Sequence, residues 1–171
     1  MVSQNRQGME NFCKRGKIEK KEGYEVCRGE DRRNGLRYDL TKIFPGCQTL
    51  GHYHFGNEPE LYEVQSGQAL FLTQNRDASQ TYLIEAKKKD KIVFPPGFSM
   101  RTINPSNDKE LIISNWVNDK VKNNYEAFQN MPEPVKLKPK SLPKELENLE
   151  FLNEPEKYKN ILTIDNLYAR H

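Results

Sequence analysis

Residues 51–54, Gly-His-Tyr-His, are followed by Glu60 and then by Gly67, and this stretch constrains the fold more than any other part of the chain. Side chains alternate between the two faces of a β-strand, so His52 and His54 are expected on one face and the tyrosine between them on the other. Imidazole and carboxylate groups are the ligands that hold zinc, iron, nickel or manganese. The spacing predicts a metal site formed by His52, His54 and Glu60, although two exposed strand histidines would also fit a His-x-His pair taken alone.

The composition is that of one polar domain with a core and room for a tail. The chain has 171 residues and a formal net charge of +3, and its basic residues are scattered among acidic ones, which does not favour nucleic-acid binding. No apolar run approaches the roughly 20 residues that a membrane span needs. The polar N-terminus shows no signal peptide. We therefore expect a cytoplasmic protein that binds neither nucleic acid nor membrane.

The cysteines predict reduced thiols. Cys13, Cys27 and Cys47 are odd in number and share no Cys-x-x-Cys spacing. This pattern is typical of a cytosolic protein, and it makes a zinc site built from these residues improbable.

Short runs rich in β-branched and aromatic residues alternate with Gly, Pro, Asn and Asp over much of the chain, which predicts an all-β sandwich or barrel. We place this barrel at residues 23–129, after an N-terminal arm (1–22) and before a proline-rich, partly helical C-terminal extension (130–171). The predicted strands are 23–28, 36–44, 49–55, 61–64, 69–73, 81–86, 91–94, 100–104 and 111–116.

The C-terminal extension carries three separate signals. Prolines and lysines in residues 130–144 predict an extended linker over the surface. Ser141 is expected to cap a short helix with three leucines on one face. Those leucines are Leu142, Leu146 and Leu149. Residues 161–168 are apolar enough to dock, for example on a partner subunit.

Several sequence blocks between residues 24 and 125 carry a family resemblance. The blocks are Tyr-Glu-Val at 24–26, Leu-Thr-Lys-Ile-Phe-Pro-Gly at 40–46, Thr-Leu-Gly-His-Tyr-His at 49–54, Glu-Leu-Tyr at 60–62, Val-Phe-Pro-Pro-Gly at 93–97 and Arg-Thr-Ile-Asn at 101–104. The His-x-His pair, Glu60 and Gly67 resemble the first cupin signature motif, and Pro-Pro-Gly at 95–97 resembles the second. Together, the blocks resemble the cupin-type glucose-6-phosphate isomerases of archaea and some bacteria.

The resemblance implies a double-stranded β-helix (jelly-roll) barrel, usually a homodimer, that interconverts glucose 6-phosphate and fructose 6-phosphate. It implies a divalent metal ion (iron, manganese, nickel or zinc) on His52, His54 and Glu60, with Glu60 also the proton-transfer base. Thr49 and Gly51 are expected on or near the face of the histidines, so that phosphate and metal share one cavity. The substrate-binding residues that the resemblance implies are Tyr24, Thr41, Thr49, Gly51, Tyr62 and Tyr125.

Two positions depart from the family pattern. Met100 stands where the family has a fourth, histidine ligand, and a thioether is a soft, weak ligand that is more typical of core packing. Residues 118–125 lack the histidine that the family carries there, and Lys122 or Asn123 stands at about its place. Three alternatives follow: a divergent isomerase, a cupin that binds a sugar phosphate or metal without catalysis, and, with less support, an Fe(II) dioxygenase.

Overall fold

The computed structural model describes residues 12–126, 128 and 130–171. Residues 1–11 of the predicted N-terminal arm lie outside this range. The described strands are β1 (Lys17–Lys21), β2 (Tyr24–Arg33), β3 (Leu36–Ile43), β4 (Tyr53–His54), β5 (Glu60–Ser66), β6 (Gln68–Asn75), β7 (Thr81–Lys87), β8 (Lys91–Phe94), β9 (Phe98–Ile103), β10 (Leu111–Asn118), β11 (Asn123–Asn124), β12 (Val135–Pro139) and β13 (Tyr168–Arg170). The helical segments are three 3-10 turns, Lys144–Leu146, Glu150–Leu152 and Pro155–Tyr158, and the short helix α1 (Ile164–Leu167).

Two large sheets and one small sheet contain these strands. The six-stranded sheet has the order β1-β2-β3-β10-β5-β8, and the five-stranded sheet has the order β13-β12-β7-β6-β9. Strands β4 and β11 form the small sheet. Because β10 lies between β3 and β5, residues far apart in sequence become neighbours, as in a jelly roll. The prediction of an all-β barrel is confirmed.

An aromatic cluster joins the two large sheets. Tyr62 and Phe94 come from the six-stranded sheet and Phe71 from the five-stranded sheet, with ring centroids 5.4 to 5.8 Å apart. All three side chains are buried. Aromatic pairs at this spacing stabilise a core beyond the area that they bury. Tyr62 connects this cluster to the site described below, because it also lines the cavity there.

The start of the described chain is bonded to the barrel rather than free. Strand β1 pairs with β2, and Cys13 forms a disulfide with Cys27, with Cα atoms 5.5 Å apart. The prediction of reduced thiols is therefore wrong for this pair, while Cys47 is free. The β1–β2 hairpin brings the two cysteines together, and no local spacing motif could indicate that pairing. Strand β1 has only one apolar residue, Ile18, because it lies at an exposed sheet edge.

The proline-rich segment adds a strand to the barrel. Strand β12 runs parallel to β7 and pairs with β13 on its other side. The predicted linker over residues 130–144 thus includes sheet structure. Leu137 is buried on the core side of β12, so the alternation Val-Lys-Leu-Lys at 135–138 reflects a true strand.

The helix expected after Ser141 is replaced by 3-10 turns. The first turn is preceded by Pro143 without a side-chain cap, and Leu149 has a left-handed φ of 66° that ends the helical path. Leu146 and Phe151 are nevertheless fully buried in the barrel's core. An apolar face is therefore buried here as predicted, but successive 3-10 turns form it in place of an α-helix.

Residues 161–168 pack on the chain's own barrel. Leu162, Leu167 and Tyr168 belong to the core cluster, and the Tyr168 hydroxyl donates a hydrogen bond to the carbonyl of Val93. Within the described residues, none of the helices is long and apolar enough to cross a membrane.

Candidate metal and substrate site

Three side chains converge at one end of the barrel. His52 forms a β-bridge with Met100, His54 lies on β4, and Glu60 is the first residue of β5. Glu60 Oε2 lies 3.8 Å from His52 Nε2 and 3.2 Å from His54 Nε2. The three ligand atoms all lie within 4.8 Å of one another. The structure therefore brings the predicted metal-binding residues together.

The hydrogen bonds of this group fit a metal ion. Glu60 Oε2 is buried and has no hydrogen-bond partner among the described residues, whereas Oε1 accepts from Asn115 Nδ2 at 2.8 Å. His54 Nδ1 lies 2.8 Å from the carbonyl oxygen of Glu58. A carbonyl can only accept, so Nδ1 carries a proton, and Nε2 is the nitrogen whose lone pair would hold an ion. Two imidazoles and a carboxylate are suited to a divalent ion, although they do not identify it.

The charge state of the group also suits this role. Burial would raise the pKa of Glu60, but the imidazoles of His52 and His54 lower it below its ordinary value. For His54, burial alone would lower the pKa, but the neighbouring Glu60 carboxylate has the larger effect, and the pKa is raised above its ordinary value. The Glu60 carboxylate is therefore ionised at neutral pH despite being fully enclosed.

A bulge before the histidines changes which side chains face the cavity. Thr49 N–H donates to the Thr102 carbonyl at 2.9 Å, and His52 N–H donates to the Met100 carbonyl at 3.1 Å. Between these two bonds the segment before the histidines advances three residues, from 49 to 52, while the paired strand β9 advances two, from 102 to 100. The segment before the histidines therefore holds one extra residue, which is a β-bulge. Thr49 and His52 consequently face the same cavity, although strict alternation would separate an odd from an even position. The predicted strand over 49–55 is regular only at Tyr53–His54.

Gly51 lies in this bulge and faces away from the histidines. A Cβ at this position would collide with the ring of Phe128 and lie 3.2 Å from Arg101 Nε. The close approach of Phe128 therefore requires glycine here. Gly51 is not among the residues that line the cavity, contrary to the expectation that it lies on or near the ligand face.

The cavity has a volume of about 160 Å³ and includes the metal-ligand group. Five of the six predicted substrate residues line it. They are Tyr24, Thr41, Thr49, Tyr62 and Tyr125. Thr49 Oγ1 accepts from Thr102 N–H at 3.0 Å and the Tyr24 hydroxyl accepts from Leu50 N–H at 3.3 Å, bonds that do not use the hydroxyl hydrogens. Burial raises the pKa of Tyr24, so its hydroxyl remains a donor.

Met100, which the sequence resemblance places at the family's fourth ligand position, faces the same way as His52. The two residues pair across an antiparallel bridge, which places their side chains on one face. The Tyr62 hydroxyl donates to Met100 Sδ at 3.9 Å. Burial raises the pKa of Tyr62 well above its ordinary value, and Glu60 adds to the effect. Met100 is thus a buried core residue that adjoins both His52 and Tyr62.

Of the two residues expected near the place of the second family histidine, Lys122 and Asn123, only Asn123 faces the metal-ligand group. It pairs with His54 across the β11–β4 ladder and lines the cavity. The side chain of Lys122 lies instead in an outer mouth of the cavity, and its carbonyl accepts from Phe55 N–H. Tyr125, with its ring centroid 5.9 Å from that of His52, stands between the two spaces.

Sequence reasoning missed several polar residues that line the cavity. Asn115 holds Glu60, and Arg28 and Arg37 lie on the cavity wall. The signal for Asn115 was its place inside the apolar run at 111–117, since a polar side chain in a central strand needs a buried partner. That partner was not predictable locally, because Glu60 lies 55 residues earlier.

The comparison with protein families matches the model described as glucose-6-phosphate isomerase (GPI) over residues 8–132, which is 125 of 171 residues. The chain belongs to the glucose-6-phosphate isomerase family. This membership supports a cupin-type sugar isomerase in general terms and confirms the predicted resemblance. Among curated proteins, none matches this member of the family.

Solved structures show the fold of this family member. The capsular polysaccharide assembling protein CapF from Staphylococcus aureus is 14% identical with a TM-score of 0.57, and the match covers 64% of this chain and 34% of that one. An oxalate oxidase in complex with glycolate is 14% identical with a TM-score of 0.54, covering 63% and 57%. Peruvianin-I, a cysteine peptidase from Thevetia peruviana latex, is 17% identical with a TM-score of 0.52, covering 60% and 66%. The chain thus spans less than two thirds of each of these structures. At these identities the likeness shows the cupin barrel alone.

Proposed function

We propose that the protein is a metal-dependent aldose–ketose isomerase that interconverts glucose 6-phosphate and fructose 6-phosphate through an enediol or enediolate. The observation that carries the proposal is the placement of Glu60. One carboxylate oxygen faces two imidazole nitrogens and the other is held by Asn115. This arrangement lies in a cavity lined by hydroxyl groups, in a chain whose family catalyses this reaction.

His52, His54 and Glu60 would hold a divalent ion. When bound, such an ion supplies Lewis-acid stabilisation of negative charge on the substrate oxygens. The family's fourth histidine is absent, so the protein's own contribution is a three-residue site with open positions.

Glu60 is our candidate for the base that moves a proton between C1 and C2. Its Oε1 accepts one hydrogen bond from Asn115 and retains a second lone pair. The carboxylate is ionised in the free protein, so it can accept a proton and return it on the same face of the sugar. Asn115 fixes the direction of that oxygen and acts as a positioning residue.

Threonine and tyrosine hydroxyls would orient the sugar phosphate. We assign Thr41, Thr49 and the backbone of Gly51 to the phosphate, following the family resemblance, because hydroxyls and N–H groups can hold a phosphate without a lysine. We assign Tyr24, Tyr62 and Tyr125 to the sugar. Gly51 has no side chain, so its assigned contact with the phosphate is through the backbone.

A second candidate function is binding of a sugar phosphate without turnover. The burial of Met100 against Tyr62, and the presence of Asn123 where the family has a histidine, favour it. Neither group readily transfers a proton during ring opening of the sugar.

The test begins with metal analysis of the purified protein. A coupled assay with fructose 6-phosphate then measures turnover with manganese, iron, nickel or zinc added. We expect turnover with at least one metal and its loss in Glu60→Gln. The matched control is Glu63→Gln on the same strand, outside the cavity. Turnover that survives Glu60→Gln would refute our assignment of the base. Absence of turnover, with fructose 6-phosphate still raising the melting temperature, would favour the binding function.

The proposal includes a homodimer that works in the cytoplasm. Light scattering on the purified protein tests the dimer. The Cys13–Cys27 disulfide is unusual in that compartment. Thiol trapping at cell lysis therefore tests the location: a disulfide that is already formed in cells would count against the cytoplasm.

A further inference from the structure

A charged cluster on the cavity wall has no role in the proposed reaction. Asp39 on β3 is fully buried. It accepts from Gly29 N–H at 2.8 Å, from Arg28 Nη1 at 3.2 Å, and from Arg37 Nε at 3.0 Å to each oxygen. One carboxylate therefore fixes two guanidinium groups in place.

The strand register places this cluster on the same face as the metal-ligand group. Asp39 pairs with Asn115, the residue that holds Glu60. In the next row Arg37 pairs with Val117, which pairs on its other side with Glu60. Residues that are paired across adjacent strands share a face. The guanidinium groups thus share the cavity with Glu60, and Arg28 and Arg37 both line it.

Both arginines of the cluster are charged and lie partly open. They share the buried carboxylate of Asp39, and their own side chains are 28% and 17% exposed. Glu19 and Asp119 also contact the arginines, but their side chains are 39% and 42% exposed, so solvent weakens those pairs. Burial would lower the pKa of Arg28, but Asp39 and Glu19 raise it above its ordinary value.

The outer mouth extends this positive charge to the surface. It has a volume of about 470 Å³ and shares Arg28 and Arg37 with the cavity. Its other charged residues are Arg32, Lys122 and Glu19. Arg28, Arg32 and Arg37 pair with the three carboxylates of Glu19, Asp39 and Asp119. Lys122 therefore leaves the entrance with one positive charge in excess, which would attract an anionic ligand toward the two arginines.

We propose that Arg28 and Arg37 form an anion subsite that binds a phosphoryl group of a ligand in the cavity. The planar guanidinium donors match phosphate oxygens, and Asp39 orients both groups in advance. The subsite is distinct from the threonine hydroxyls that the family resemblance implies. It rests on the proposed function only in taking the ligand to be a sugar phosphate. The phosphoryl group belongs either to the sugar itself or to a separate phosphate anion bound beside it.

Calorimetric titration with inorganic phosphate and with fructose 6-phosphate tests the subsite. We expect Arg37→Gln and Arg28→Gln each to weaken phosphate binding about tenfold or more, since each removes a charge-assisted donor. The matched control is Arg33→Gln, an exposed arginine that stacks on Trp116 outside the cavity, and it should leave both affinities unchanged.

The two sources of the phosphoryl group give different results. If the subsite holds the sugar's own phosphate, the variants weaken fructose 6-phosphate by the same factor and inorganic phosphate competes with it. If it holds a separate anion, fructose 6-phosphate affinity is unchanged and phosphate binds alongside. Wild-type affinity for both ligands in folded Arg28→Gln and Arg37→Gln would overturn the subsite.

A further variant keeps the test decisive if the neutral substitutions unfold the protein. Arg37→Lys retains the charge opposite Asp39 but loses the planar donors, so phosphate binding should weaken several-fold; unchanged affinity would count against the subsite. These are binding measurements, so they do not depend on turnover. A protein that binds phosphate through the arginines but shows no isomerase activity would refute only the proposed reaction.

Discussion

Replacing Asn115 with alanine should weaken metal binding without touching a ligand. Asn115 Nδ2 donates to Glu60 Oε1 at 2.8 Å, and the two residues are only 5% and 4% exposed. A hydrogen bond to a buried charged group contributes about 1.5–3 kcal/mol, which corresponds to about 10- to 150-fold in a binding constant. Removal of residues that support metal ligands typically costs about 10- to 100-fold in affinity. Both arguments give the same range.

The expected result is therefore a 10- to 100-fold rise in the dissociation constant for zinc or manganese. Competition with a chromophoric chelator measures it, and circular dichroism checks that the variant is folded. The matched control is Ser114→Ala on the same strand, which removes the hydrogen bond from Gln65 Nε2 to Ser114 Oγ at 2.8 Å on the opposite face. If folded Asn115→Ala holds the metal within about twofold of the wild type, then Asn115 does not position the ligand.

Three further predictions test other parts of the molecule. Met100→His should hold the metal more tightly in the same chelator assay, because position 100 shares the face of His52; unchanged retention would mean that its side chain does not reach the ion. Phe151→Ala should lower the free energy of unfolding by about 3–5 kcal/mol in a single urea transition, since Phe151 is fully buried in the shared core; a separate early transition would contradict this. Burial would raise the pKa of Glu30, but N–H groups of residues 14–16 lower it below 4.5. A lowered pKa stabilises the fold above the unfolded-state value, so the advantage of wild type over Glu30→Gln in melting temperature should be full at neutral pH and shrink as the pH falls below 4.5; a constant difference would refute it.

The sequence predicts strands well where one face of each strand is buried. Strands β2, β3 and β5–β10 combine β-branched and aromatic residues with turn signals, and the structure has strands at all of these places. Strand β1 escapes prediction because an exposed edge needs no apolar alternation. Strand β12 was not predicted because the prolines around its Val-Lys-Leu-Lys pattern indicated an extended linker. Its partner β7 also lies some 50 residues away in sequence, so no local signal indicates the pairing.

The candidate site was also predictable only in part: local spacing indicates some of its residues, and strand pairing determines the others. Spacing alone was enough to bring His52, His54 and Glu60 into one hypothesis, because they are close in sequence. The bulge that turns Thr49 into the cavity and Gly51 out of it depends on the pairing with β9. The bond from Asn115 to Glu60 depends on strand order. Periodicity along one strand carries no information about either.

The loss of the family's fourth histidine changes the donors of the site but not its charge. Methionine and a metal-binding histidine are both neutral, so a divalent ion with Glu60 would still leave one net positive charge. The two arginines on Asp39 line the same cavity and do not depend on the ion. With the proposed anion subsite, we expect substrate attraction and metal retention to be separable in this chain. Met100 weakens only the second, so binding of a sugar phosphate should persist even where the ion is readily lost.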